Sequence, residues 1–287
     1  MLVGLLFAAP GGPPASAPGG DAATGAAAPA KAPAAEGAAW TPLEPGLDLG
    51  VFSGPSGASG DGKIWIVRID PSQFELRLVN ASAGDARPHT VRGWATAAGA
   101  VAGINAAMFQ SDGLTSVGMM RTRAHQNNPR RNRRYQAILA FDPVEPGLAP
   151  VRILDAACGE LDGGGRGYAT LIQSIRMISC DRKNVWASDA KRWSTAAIGV
   201  DGSGRPLFIH ARSPWPVHDL IEALLALPAD VRRAMYVEGG PEAQLFVRAG
   251  GREIERRGAI DAVGERTGGL EWEIPNAVVA VRRANPR

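Results

Sequence analysis

The stretch Ala234-Met235-Tyr236-Val237-Glu238-Gly239-Gly240-Pro241-Glu242 decides how the rest of the chain is interpreted. An apolar run of strand type leads into a carboxylate, two glycines, a proline and a second carboxylate. Glycine lets a backbone turn sharply and lets a ligand approach closely, and a carboxylate held at the end of a strand is a frequent element of binding sites. The pattern predicts a buried strand that places Glu238 at the rim of a site. A strand-to-strand turn with solvated acids also fits it.

The residues before this stretch predict the elements that lead into it. Two apolar runs, residues 194–200 and 206–210, flank Asp201-Gly202-Ser203-Gly204, which is a strong hairpin signal. Residues 216–227 predict an amphipathic helix that ends before Pro228. Its apolar face consists of Leu220, Ile221, Leu224 and Leu225.

Strand patterns dominate the remainder of the chain. Residues 64–69 and 74–78 flank the turn Asp70-Pro71-Ser72 and predict an antiparallel pair. Thr90 predicts a helix cap, with a short helix to about residue 98. Further strands are predicted at residues 136–141, 151–154, 168–178, 244–247 and 276–281. We therefore predict one α+β domain, with a mixed or antiparallel sheet core and a few packed helices.

The first forty residues differ from the rest in composition, because they are almost entirely Ala, Pro and Gly. An apolar run at residues 2–9, followed by Ala15-Ser16-Ala17, predicts a signal peptide over residues 1–17. Residues 18–45 predict a disordered linker, and residues 46–287 the folded domain. No later apolar run reaches the length of a membrane span. The predicted location is secreted, periplasmic or in the cell envelope.

The charge pattern is moderately basic, with a net charge of +3 and a pI near 9.1. Arginines concentrate between Arg121 and Arg134, where apolar periodicity is lost. This segment predicts a solvated loop or a basic flap over an anionic ligand. Without a long basic helix, the charge is weak evidence for nucleic acid, and no nucleic-acid partner is predicted.

Three polar side chains stand at strand ends or inside apolar runs: Asn105 before Ala106-Ala107, Gln173, and Glu238. Such positions can converge on one pocket, where amides position a ligand and a carboxylate does proton or nucleophilic work. Gln173 fits a satisfied core amide equally well, because a buried amide needs partners in either case. His218 lies in the first turn of the predicted helix, where it either reaches a pocket or belongs to an exposed helix surface.

Other chemistries have little support. The histidines at 89, 125, 210 and 218 lack metal-pair spacing, so no metal or other cofactor is predicted. Cys158 and Cys180 are the only cysteines. They either pair in an oxidising compartment or are two unrelated buried thiols.

Four motifs occur in order at residues 103–110, 197–202, 237–240 and 274–277. Together they resemble the successive motifs of the phosphodiester glycosidase family, over about residues 60–283. The resemblance implies an α+β glycosidase domain, an exported protein and hydrolysis of a sugar-1-phosphodiester. Asn105 stands where the family has the asparagine of Asn-Gly-Gly, and Glu238-Gly239-Gly240 stands where it has Asp-Gly-Gly-Gly.

With this resemblance, the predicted function is an exported hydrolase of a glycosyl phosphodiester or related glycoside. Glu238 is the predicted nucleophile or base, with Asn105 and Glu242 as the other catalytic residues. The predicted contacts to the carbohydrate or sugar-phosphate substrate are Gln173, Arg176, Arg192, Gly239, Gly240 and His218.

Two alternatives stay open. Ala106, Ala107 and Pro241 replace family residues, which motivates a carbohydrate- or envelope-binding domain with altered catalytic geometry. Binding of nucleic acid or another anionic polymer through residues 121–134 is the other. The sugar, the acceptor and the oligomeric state are left undetermined.

Overall fold

The computed structural model describes residues 40–56, 60–163, 165–259 and 272–284. The predicted signal peptide, residues 1–17, and residues 18–39 of the predicted linker lie outside the described residues. The first strand, Thr41–Glu44, falls within the range assigned to the linker, and it buries Leu43 in the core of the domain.

The described part of the chain contains sixteen strands and two α-helices. In chain order the strands are β1 (Thr41–Glu44), β2 (Leu47–Ser53), β3 (Lys63–Ile69), β4 (Phe74–Asn80), β5 (Ala102–Asn105), β6 (Met120–Arg121), β7 (Gln126–Asn128), β8 (Ala137–Pro143), β9 (Val151–Asp155), β10 (Tyr168–Ile178), β11 (Trp193–Asp201), β12 (Pro206–Trp215), β13 (Val231–Gly239), β14 (Gln244–Ala249), β15 (Arg252–Arg257) and β16 (Asn276–Arg282). The helices are α1 (Val91–Ala97) and α2 (Val217–Ala226).

The strands form two sheets. The larger has the order β1-β2-β3-β12-β11-β13-β10-β6-β7, with β8 paired to β10 and to β9. The smaller has the order β15-β14-β5-β16-β4. Every pair of described strands is antiparallel. The antiparallel core is confirmed, but helices are fewer than the α+β class suggests, so the domain is β-rich.

The main core lies between the two sheets. Ile198 and Met235 of the large sheet pack in one buried cluster with Ile104, Leu245 and Val278 of the small sheet. Each sheet also buries part of its outer face under a helix, α2 on the large sheet and α1 on the small one. Neither described helix is long and apolar enough to cross a bilayer.

The predicted pairing of residues 64–69 with 74–78 is wrong. Strand β3 pairs with β2 and β12, whereas β4 pairs with β16 in the other sheet. The chain crosses between the layers at the turn around Asp70, whose backbone N–H donates to Gly46 O at 2.7 Å. The crossing lets Val67 and Phe74 enter the same core from opposite sheets, which a hairpin within one sheet does not allow.

Other local predictions are confirmed. The Asp-Gly turn joins β11 to β12, and Asp201 Oδ1 accepts hydrogen bonds from Ser203 N and Arg205 N at 2.9 Å each. Thr90 Oγ1 caps α1 by accepting from Gly93 N at 3.1 Å.

The arginine-rich segment, predicted as a loop, contributes strand β7 and pairs through it with β6.

A disulfide joins Cys158 to Cys180 across the ends of β9 and β10. Beside it, the buried carboxylate of Asp155 accepts hydrogen bonds from Ala157 N and Cys180 N at 2.8 Å each. Asp155 also pairs with Arg176. One covalent bond and one buried ion pair therefore hold these strand ends together.

Replacing both cysteines by serine removes a cross-link between residues 22 positions apart. We expect the free energy of unfolding to fall by about 2–4 kcal/mol, and Tm to fall by about 4–16 °C for a domain of this size. Calorimetry with and without a reductant measures both. The reductant should bring the wild type to the Tm of the double variant and leave the variant unchanged; a wild type insensitive to reductant contradicts the assignment.

Candidate active site

The glycine turn at the end of β13 has a backbone conformation that is fixed by hydrogen bonds. Gly240 has φ +65°, in the left-handed region that favours glycine, and it opens a 3-10 turn over Gly240–Glu242. Ala243 N donates to Gly240 O at 3.1 Å, which closes the turn. Below it, the fully buried His210 contacts Ala243 O through Nε2 at 3.0 Å. Burial lowers the pKa of His210 to about 4, so this histidine is neutral at pH 7.

Gly239 is required by its neighbours. A methyl group built on Gly239 would overlap the Tyr236 hydroxyl and the edge of the Trp193 ring, and would lie 2.8 Å from Trp193 Nε1. The side-chain space that Gly239 leaves empty is thus occupied by a phenol and an indole. The sequence predicts a backbone turn here, and the structure adds that the glycine admits two aromatic rings beside Glu238.

Glu238 is the last residue before the glycines. The residue is half-buried, and its carboxyl group lies in a poorly hydrated part of the site. Burial, followed by the charge of Glu242, raises the pKa of Glu238 to about 8. The hydrogen bond that Oε1 accepts from Gly239 N, 3.1 Å long, opposes this shift. Glu238 is therefore mostly protonated at pH 7.

Glu242 supplies the second carboxyl group of the site. Burial raises the pKa of Glu242, against hydrogen bonds from its own backbone N–H and from the Trp272 side chain. Two carboxyl groups that repel each other in a partly dry site titrate as a pair, and one holds its proton to higher pH than the other. This arrangement can present an acid and a base side by side.

Two tyrosines border the pair. Burial, and next the charge of Glu238, raises the pKa of Tyr135 to about 12. Burial also raises the pKa of Tyr236 well above its usual value, with the charge of Glu238 as the second cause. Trp186 packs on Tyr236 with ring centroids 5.4 Å apart. Both phenols stay protonated at neutral pH and can donate hydrogen bonds.

Asn105 connects to the carboxylates through a chain of hydrogen bonds. Its Oδ1 accepts from Gln244 N at 3.1 Å, and Gln244 Nε2 donates to Trp272 O at 2.5 Å. Trp272 in turn contacts Glu242. Asn105 is 2 % exposed, and its Nδ2 has no hydrogen-bond partner among the described residues.

Gln173 holds the loop that contains Tyr135. Its Oε1 accepts from Asn132 N at 2.8 Å and from Met119 N at 3.2 Å. Its Nε2 donates to Asn132 O at 2.9 Å and to Tyr135 O at 2.8 Å. Of the two readings that the sequence leaves open, this geometry favours a satisfied amide, because all of these bonds go to backbone. Gln173 then acts on the site by positioning Tyr135.

The three other side chains predicted to contact the substrate, Arg176, Arg192 and His218, lie in three different surroundings. Arg176 lies opposite Met235 on β13 and is committed to Asp155. Arg192 is exposed directly before Trp193 and makes no hydrogen bond or ion pair with the described residues. His218 is the second residue of α2, with Nδ1 3.4 Å from Asp219 Oδ1, and no described contact joins it to Glu238 or Glu242.

Sequence reasoning missed the aromatic residues around the pair: Tyr135, Trp193, Tyr236 and Trp272. Only Tyr236 carries a local signal, since it precedes Glu238 by two positions on one strand. A register shift separates the two residues, because Tyr236 pairs with Ala197 and Glu238 with Ala196. Sequence reasoning also missed Thr195 of β11, which pairs with Gly239 of β13. Thr195 Oγ1 is a buried donor without a partner among the described residues, whereas the Trp193 side chain interacts with the Tyr236 hydroxyl.

One cluster of metal-ligating residue types occurs in the described part, formed by Cys158, Cys180 and Asp181. Its two sulfur atoms are joined in the disulfide, so they do not offer the thiolates that would bind a metal. The residues around Glu238 offer carboxyl, amide, phenol and indole groups instead. This set suits binding of a hydroxyl-rich ligand and proton transfer.

Gly239→Ala should destabilise the domain by about 1–3 kcal/mol, because the new methyl group overfills the space beside Tyr236 and Trp193. Urea unfolding measures the loss of stability. A change in the tryptophan emission of the folded variant would show that the surroundings of Trp193 are altered. Gly163→Ala is the matched control, since a methyl group there meets open space. Equal stability of the two variants would show that the packing around Gly239 is loose.

Comparisons with known proteins identify the family and the fold. The chain matches the family model for phosphodiester glycosidases over residues 98–281. Comparison with curated proteins gave no match. The fold resembles the zebrafish N-acetylglucosamine-1-phosphodiester alpha-N-acetylglucosaminidase catalytic domain, with a TM-score of 0.60, 13% identity, and coverage of 84% of this chain and 85% of that one.

A hypothetical protein from Synechocystis is also similar, with a TM-score of 0.55 and 12% identity, and the match covers 83% of this chain and 62% of that one. At these identities the solved structures show a shared fold. The family model covers more than half of the chain and includes Asn105, Gln173, Glu238 and Glu242. The chain therefore belongs to the phosphodiester glycosidase family.

Proposed function

We propose that this protein hydrolyses a glycosyl phosphodiester, in which the anomeric oxygen of a sugar is esterified to a phosphate that carries an acceptor. The observation that carries the proposal is the coupled pair Glu238 and Glu242 on the glycine turn, with the pKa of Glu238 at about 8. Family membership supplies the reaction class. The pair supplies the groups that such a hydrolysis uses.

Glu238 acts in this proposal as the acid. The sequence suggested a nucleophile or base, but a carboxyl group with a pKa of about 8 is mostly protonated at pH 7. A neutral Glu238 does not repel the negative charge of a phosphodiester, and its O–H can donate to the bridging oxygen. Phosphate is already a good leaving group, so a modest degree of proton transfer is sufficient.

Glu242 acts as the base that activates water. The water oxygen bonds to the anomeric carbon as the bond from that carbon to the bridging oxygen breaks. The proton of the water passes to Glu242, and the proton of Glu238 passes to the departing phosphomonoester. Return of one proton from Glu242 to Glu238 through solvent restores the starting state. Neighbouring dipoles stabilise the positive charge that develops on the sugar ring.

The sugar subsite is built from donors and rings near the pair. Asn105 Nδ2 and Thr195 Oγ1 are buried groups without partners in the described structure, and sugar hydroxyls are suitable acceptors for them. Gly239 and Gly240 admit the ligand close to the backbone. Of the two predicted phosphate-binding arginines, Arg192 is favoured because Arg176 is committed to Asp155. His218 is assigned to the outer surface near α2.

Glu238→Gln should lower kcat/KM on a methyl glycosyl phosphate at least about 100-fold, the usual contribution of a general acid. In the wild type, kcat/KM should fall as pH rises through about 8, because the protonated form is lost above the pKa of Glu238. The variant should lack this decline. Glu253→Gln, an exposed change on the small sheet, is the matched control and should retain activity. A variant that retains the decline would remove Glu238 from the acid role.

Hydrolysis in ¹⁸O-labelled water identifies the bond that breaks. The label should enter the sugar and not the phosphate, because water attacks the anomeric carbon. Label in the phosphate would instead indicate a phosphodiesterase. Sugar binding without any product after long incubation would favour the alternative of a carbohydrate-binding domain with altered catalytic geometry.

We also propose that the domain works outside the cytoplasm. The support is the disulfide between Cys158 and Cys180, since such bonds persist mainly in oxidising compartments. Fractionation of cells that produce the full chain, combined with thiol alkylation, should find the domain oxidised and outside the cytosol. Recovery of reduced protein in the cytosol would overturn this location.

A further inference from the structure

A short loop between β7 and β8, residues 130–134 and called here the basic loop, concentrates positive charge near the site. Four of its five residues are arginines, and all four are exposed. Arg131 Nη1 donates to Leu161 O at 3.1 Å. The guanidinium groups of Arg130, Arg133 and Arg134 have no ion pair with any residue in the described ranges.

The backbone of the basic loop is fixed despite this exposure. The amide of Gln173, 1 % exposed, binds both the N–H and the C=O of Asn132. Asn128 Oδ1 accepts from Arg130 N at 2.9 Å, and Asn132 Oδ1 accepts from Arg134 N at 3.0 Å. The arginines are thus presented on a preorganised backbone, which reduces the entropy lost when they bind a ligand.

A cleft of about 510 Å³ opens beside the basic loop. Its walls include Arg131, Arg133, Tyr135, Leu161 and Asp162, and its floor includes Gln173. The Arg131 side chain spans toward Leu161, so its charge lies along the cleft wall. Such a cleft has room for a short stretch of a chain ligand.

Tyr135 connects this cleft to the carboxylates. It follows the basic loop directly, and its C=O is held by Gln173 at 2.8 Å. Its hydroxyl group lies 3.8 Å from Met108 Sδ, and its phenol is within the electrostatic reach of Glu238. Tyr135 therefore borders the cleft and also lies within reach of the Glu238 charge.

We propose that the basic loop and its cleft bind the acceptor side of the substrate, beyond the phosphate that is cleaved, and that this acceptor is an anionic chain with repeating phosphate groups. The inference rests on the proposed glycosyl phosphodiester hydrolysis. A single diester needs one arginine fork, which the proposed function assigns to Arg192. The exposed guanidinium groups of Arg131 and Arg133 in a preformed cleft match additional phosphates, to which arginine binds in bidentate fashion.

The composition of the loop favours a phosphate-linked polyol or glycan chain over a nucleic acid. Sites for single-stranded nucleic acid combine a basic groove with several aromatic rings on which bases stack. The cleft has one aromatic residue, Tyr135, and it is half-buried. Repulsion among the arginines, held within five residues, is relieved by any flexible chain of phosphates without a need for stacking.

The binding test uses a fluorescein-labelled hexamer of poly(glycerol phosphate), read by fluorescence anisotropy. Arg131→Gln with Arg133→Gln should weaken binding about tenfold or more, and should reduce the slope of log K against log salt by about 1, because phosphate contacts are lost. The matched control, Arg87→Gln with Arg252→Gln, removes two exposed charges elsewhere and should bind as the wild type does. An uncharged hexaglycerol should not bind.

Equal weakening in the two double variants would overturn the proposal, because binding would then follow net charge alone. Stronger binding of a hexameric single-stranded oligonucleotide would overturn the choice of ligand and point to nucleic acid.

A kinetic experiment distinguishes failure of this inference from failure of the proposed function. The wild type should have a kcat/KM about tenfold higher for a glycosyl phosphate carried on the hexamer than for the methyl diester, and the Arg131/Arg133 variant should lose that ratio. Hydrolysis with no preference for the longer acceptor overturns the cleft assignment and leaves the hydrolase intact. Selective hexamer binding without hydrolysis of either diester overturns the hydrolase and leaves the cleft as an anion site.

Discussion

The withdrawal of the Glu238 carboxyl group from water is the constraint around which the site is arranged. Strand β13 lies between β11 and β10, and its pairing with β11 continues through Glu238 and Gly239. Pairing with β10 extends to Tyr236, so the backbone at Glu238 itself is held by β11 on one side. Gly239 then lets Tyr236 and Trp193 close over the same space. Rigidity and desolvation therefore have one origin, the position of β13 inside the large sheet.

Desolvation gives this acid-rich site a form suited to an anionic substrate. Two ionised carboxylates would repel a phosphodiester, whereas a protonated Glu238 beside Glu242 leaves a single negative charge. Cationic groups stand at the periphery, with Arg192 next to Trp193 and the basic loop next to Tyr135. In the proposed reaction, this arrangement would place positive charge where the phosphates enter and the proton donor where the glycosidic bond breaks. Gln173 links the two regions because it fixes the backbone between them.

The sequence predicted the elements whose signals are local. The Asp201-Gly202 hairpin, the Thr90 cap and strand β10 form as their residue patterns indicate, since each depends on neighbours within a few positions. The pairing of residues 64–69 with 74–78 failed because the turn at Asp70 is compatible with a hairpin and with a crossing between layers. Only the burial of Val67 and Phe74 in one core selects the crossing.

By itself, the sequence determined that strands outnumber helices, that a glycine turn follows Glu238, and the order of motifs that marks the family. The tertiary structure alone decided that Tyr135, Trp193 and Trp272 surround the carboxylates, that Arg176 is committed to Asp155, and that Cys158 pairs with Cys180. This division arises because propensity and periodicity act between residues close in the chain, whereas burial, charge coupling and disulfide geometry depend on distances in space. The pKa of Glu238 follows from such distances, and the residue pattern around it cannot specify them.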